Sequence, residues 1–111
     1  MKFPTPEDPA RAPVWENYVV AQAAQAALGR IPKSTLAFGA RQEGVDVFVH
    51  FQLKSVNARA LEDMDDIVSE LEALVGDAVR VARTYEVRSE RSISPHDGIR
   101  WIYLKRRHLW P

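Results

Sequence analysis

Val45-Asp46-Val47-Phe48-Val49-His50-Phe51-Gln52-Leu53 is the stretch on which the fold turns. Val45, Val47, Val49, Phe51 and Leu53 alternate with Asp46, Phe48, His50, Gln52 and Lys54, a period of two that marks a strand with one buried face. Upstream, Ser34 to Ala40 reads as a second strand. Between them Arg41-Gln42-Glu43-Gly44 supplies a turn in which glycine takes the positive φ that such a connection needs. The pair is predicted to be a β-hairpin.

Outward from the hairpin the period changes to that of helices. Pro13 to Leu28 begins with a proline suited to a first turn and continues through the alanine- and glutamine-rich run 21–27, with Gly29 and Pro32 as the stop. Trp15, Tyr18, Val19, Ala23 and Ala26 share one face. After the hairpin, Leu61, Met64, Ile67 or Val68, Leu71 and Leu74 recur at steps of three and four, predicting a second helix from about Asn57 to Val75. Asn57 or Ser55 is placed to cap its start, and Gly76 ends it. Ala78–Arg88 and Arg100–Lys105 then read as a third and a fourth strand, joined by the polar segment Ser89–Gly98 with its Pro95. The expected fold is a two-layer α+β sandwich of order α-β-β-α-β-β, with a four-stranded, mostly antiparallel sheet and both helices on one face.

The 111 residues, 46% hydrophobic and 27% charged, suit one domain with one core. Residues 1–12, with prolines at 4, 6 and 9, are predicted to be a flexible tail, and 13–111 the domain. The absence of cysteine removes disulfide frameworks, thiolate zinc sites and cysteine nucleophiles. No apolar run approaches the roughly 20 residues of a membrane helix, and the start lacks the apolar stretch of a signal peptide, so a cytoplasmic protein is expected. Lys and Arg total 15 and Asp and Glu 15, a balance that argues against bulk nucleic acid as partner.

Three surfaces stand out. Glu62, Asp63, Asp65, Asp66, Glu70 and Glu72 lie on the second helix, with no Lys or Arg from Ala60 to Val79. Such a surface suits the basic groove of a protein partner, although a merely solvated face has the same composition, and a site for a hard cation is the weaker third reading. If Val47, Val49, Phe51, Ile102 and Leu104 face the helices, then Phe48, His50, Trp101 and Tyr103 face the other way, near Arg80 or Arg83. That aromatic patch suits a protein interface or base stacking, unless the 89–98 loop or the C-terminal tail folds over it. The basic end, Lys105-Arg106-Arg107-His108, is the third surface, and its opposition to the acidic helix allows self-association as a homodimer. No catalytic motif occurs, and a hydrolase built on His50 or His96 with a carboxylate is the least favoured reading.

The segments Trp15–Ile31 and Leu61–Leu74, with the strand order, resemble small bacterial immunity proteins of polymorphic-toxin and contact-dependent inhibition systems. The resemblance covers about two thirds of the chain; the proline-rich start and the basic end depart from the pattern. It implies a non-enzymatic inhibitor that binds a cognate toxin domain and blocks its active site, commonly through acidic surface; no metal or cofactor is expected. The expected partner-binding residues are Glu62, Asp63, Asp65, Asp66, Glu70, Trp101 and Tyr103. The alternative is a nucleic-acid-binding module using Trp101, Tyr103, Arg80 and Arg83.

Overall fold

The computed structural model describes residues 12–77 and 79–106, in the order α-β-β-α-β-β. The expected tail at 1–11 and the basic residues Arg107 and His108 lie outside the described residues, and Ala12, expected in the tail, opens the first helix.

The hairpin forms the centre of the sheet. β1 (Thr35–Glu43) and β2 (Asp46–Leu53) are antiparallel, with Glu43 opposite Asp46, so Gly44 and Val45 alone make the turn. Gly44 has a φ of 59°, and no described non-glycine residue has a positive φ. A positive φ at the first central position only is the pattern of a type II′ turn, whose twist matches that of the strands it joins. The expected connection Arg41–Gly44 is therefore too long. Arg41, Gln42 and Glu43 belong to β1, opposite Phe48, Val47 and Asp46.

The period-two reading of β2 holds: Val47, Val49, Phe51 and Leu53 are fully buried. Phe38 and Ala40 of β1 lie opposite Phe51 and Val49 and face the same way. The Phe38 and Phe51 rings are 4.8 Å apart at a tilt of 33°, within the range of favourable aromatic contact. Two helices cover this face. α1 (Ala12–Ala27) contributes Trp15, Val19, Ala23, Ala26 and Ala27, and α2 (Ala58–Val75) contributes Met64, Ile67 and Leu71, to one continuous core. The boundaries of α2 are chemical. Asn57 is extended and its side-chain oxygen accepts from Ala60 N–H at 2.8 Å, while Gly76, at φ 81°, donates its own N–H to the Glu72 carbonyl.

β3 (Arg80–Val87) runs parallel to β2, and β4 (Arg100–Leu104) antiparallel to β1, giving the order β3-β2-β1-β4. β1 therefore runs against the other three strands, and β2, β3 and β4 end at the same edge of the sheet. Because β3 and β4 occupy opposite flanks, residues 88–99 must cross the sheet. They cross the face away from the helices: Gln52, on that face, accepts from Ser92 N–H at 2.8 Å and donates to the Ser92 carbonyl, and is only 3% exposed. The crossing segment supplies the cover for one side chain pair, Ala37 and Gln52, that the hairpin alone would leave in water.

The expected parity of β4 is corrected. Gly39 lies opposite Trp101 and Phe38 opposite Tyr103, so Ile102 is an extra residue bulged out of register. Ile102 and Tyr103 both pack against the core, whereas Trp101 stays on the far face and Leu104, opposite Ala37, is 40% exposed. Tyr103 and Leu104 have exchanged their expected faces. A bulge does this because two residues of one strand share a single partner position.

Candidate functional site

The buried side of α2 is formed by Ala60, Met64, Ile67 and Leu71, and the side opposite them is the exposed crest Glu62, Asp66, Ser69 and Ala73. The flanks are already neutralised from within the chain. Arg59 Nε lies 3.1 Å from Asp63, one turn earlier on the same helix; Arg83 Nε on β3 lies 2.6 Å from Asp65; and Arg30, after α1, is 3.9 Å from Glu70. Asp63, Asp65 and Glu70 thus meet cations of their own chain, although the Asp65 side chain remains 63% exposed. Glu62 and Asp66, four residues apart on the crest, have no ion-pair partner among the described residues.

The aromatic surface is not assembled as expected. Tyr103 faces the helices. Arg83 is on the helix side, where it also lies over the Tyr85 ring at 5.6 Å, and Arg80 is held by Asp46 at 2.8 Å. The arginine that borders the outer aromatics is Arg41, 4.9 Å above the Phe48 ring. Trp101 remains, with its indole N–H donating to Asp97 at 3.1 Å.

Asp97 organises this corner. Its carboxylate accepts from the backbone N–H of Ser94 at 2.9 Å and of Ile99 at 3.1 Å, as well as from Trp101. Partial desolvation pushes its pKa up, but these hydrogen bonds, aided by the nearby His50, outweigh that and hold the carboxyl below the usual carboxylate range. The stabilisation is therefore present above the unfolded-state value of about 3.9 and is lost as pH falls through the lower folded-state value. Asp97→Asn is expected to cost about 1 kcal/mol at pH 7, since one acceptor oxygen and the charge are lost. The difference from the parent protein should narrow below about pH 4 in urea titrations. A gap independent of pH would refute this account.

His50 also lies on this face. Its Nδ1 lies 2.7 Å from Thr84 Oγ1 and its Nε2 3.4 Å from Glu86, both on β3, with the Trp101 ring edge-on at 6.2 Å. His96 sits apart, in an exposed turn where Ser94 Oγ accepts its N–H. Among the described residues no three His, Asp or Glu side chains come together as a metal would require. No described helix is long and apolar enough to cross a membrane.

Two groups of residues escaped sequence reasoning. Gln52 and Asp97 pin the crossing segment, and Lys54 and Arg91 meet at the end of the sheet, 37 positions apart in the chain. For Asp97 the signal is Ser94-Pro95-His96-Asp97-Gly98, a turn composition in which an aspartate binds nearby backbone N–H groups. No family model matches the chain, and no curated protein matches it either.

Proposed function

We propose that this protein is a non-catalytic protein-binding domain whose contact surface is the crest of α2, offered to a basic site on its partner. The supporting observation is the exposed pair Glu62 and Asp66, which no cation of the described chain faces, above flanks whose acids pair with Arg59, Arg83 and Arg30. Carboxylates on a capped, packed helix are preorganised, so little ordering opposes binding. The specific form of the reading is an immunity-like inhibitor that covers the basic active site of a bacterial toxin, such as a nuclease. The nucleic-acid alternative is less well supported, because Tyr103 and Arg83 lie on the opposite face from Trp101 and Arg80 is paired with Asp46.

The test is charge reversal on the crest. Partners recovered from the native host with the parent protein should be lost with Glu62→Lys/Asp66→Lys, a change at two exposed positions that should leave the circular dichroism spectrum unchanged. Loss of a desolvated charge pair at an interface costs about 2 kcal/mol or more, roughly thirtyfold in affinity. Retained affinity in the double variant would rule out the crest as the contact surface.

A further inference from the structure

Seven of the nine described arginines stand in ion pairs: Arg30, Arg41, Arg59, Arg80, Arg83, Arg88 and Arg100 each face a carboxylate. The two that do not, Arg91 and Arg106, line the same cleft, together with Lys54 and Lys105, which are also without a carboxylate partner among the described residues. The topology explains the convergence. β2, β3 and β4 end at one edge of the sheet, and each is followed by cations: Lys54 directly after β2, Arg91 four residues after β3, Lys105 and Arg106 directly after β4. Leu36, at the start of β1, supplies an apolar wall, and Glu90 is the single acid in the lining.

Arg91 is the best-defined group. Its Nη1 donates to the Lys105 carbonyl at 2.6 Å, which fixes the plane of the guanidinium. Its Nε is buried and meets no acceptor among the described residues. That leaves Nη2, which is neither buried nor hydrogen-bonded among the described residues, as the guanidinium donor that a ligand oxygen in the cleft can reach. Four cations against one carboxylate leave a local excess of three, which fits a dianion better than a monoanion.

We infer that this cleft is a binding site for a small phosphate monoester, with Arg91 Nη2 donating to a phosphoryl oxygen and Lys54, Lys105 and Arg106 neutralising the remaining charge. The cleft measures about 280 Å³, close to the lower end of small-molecule pockets. The inference is independent of the α2 reading, since no lining residue lies on that helix.

Calorimetric titration of the full chain with inorganic phosphate and with a nucleoside monophosphate, at constant ionic strength with sulfate as a second dianion, tests it. Binding of both phosphates is expected, and Arg91→Gln should weaken it about tenfold or more. Arg91 also ties the chain to Lys105, so Lys54→Gln, whose side chain makes no hydrogen bond among the described residues, serves as the second variant and should weaken binding several-fold. No heat with either phosphate, or affinity unchanged in Lys54→Gln, would overturn the site, and equal binding of sulfate would overturn its assignment to a phosphate ester. Tighter binding of a single-stranded oligonucleotide than of the monophosphate would overturn the assignment to a small ligand.

Discussion

Phe51→Ala is expected to remove about 3–5 kcal/mol of stability, a large part of what a domain of this size possesses. Phe51 is fully buried, lies against the Phe38 ring, and belongs to the single core formed by both helices and the sheet. Deleting the ring strips contacts from several elements at once, and close-packed neighbours cannot collapse fully into the void. Urea unfolding followed by circular dichroism gives the number. The same substitution at Phe48, half-buried beneath Arg41 on the far face, should cost much less. Equal costs at 48 and 51 would mean that β2 buries both faces alike, contrary to the assigned register.

The second large effect comes from adding atoms. A Cβ on Gly39 would lie 2.5 Å from Ile99 Cγ2, 2.7 Å from the Arg100 carbonyl oxygen and 3.1 Å from Trp101 Cα. A side chain can swing aside; the backbone of β4 cannot without leaving β1. Gly39→Ala is therefore expected to cost about 3 kcal/mol, at the upper end for overpacking, and Gly39→Val more. The damage should be local. Hydrogen exchange should show protection lost across β4 while the amides of β2, two strands away, retain most of theirs. A neutral Gly39→Ala would show that β4 does not approach β1 as closely as described.

These two positions also show how far the sequence could be read. Alternation in 45–53 defined the buried face because a strand side chain has only two directions, and the stripe and caps of α2 were equally local signals. The faces of Tyr103 and Leu104 were not readable from alternation, since one bulged residue reverses it. Gly39 within a strand was the available clue, because glycine there often marks a bulge or a close backbone approach. On the acidic helix, the composition of 60–79 correctly shows no internal cation after Arg59, yet the flanking acids are neutralised by Arg30 and Arg83, brought in from other elements. Charge pairing across a fold depends on which strands become neighbours. The cleft at the sheet end follows the same logic: Lys54, Arg91 and Lys105 are unremarkable in sequence and meet only because three strands share one direction.

The bulge at Ile102 also has a bearing on how relatives of this chain should be aligned. It acts as a shift of phase: up to Trp101 the strand is written in one frame, and from Tyr103 onward in the other. A homologue without the extra residue would carry its inward aromatic one position earlier, and an ungapped alignment would score that conserved contact as a mismatch. Allowing a single-residue gap at 102 restores the correspondence, while residues 88–99, the one connection that both begins and ends at a flank of the sheet, keep their length.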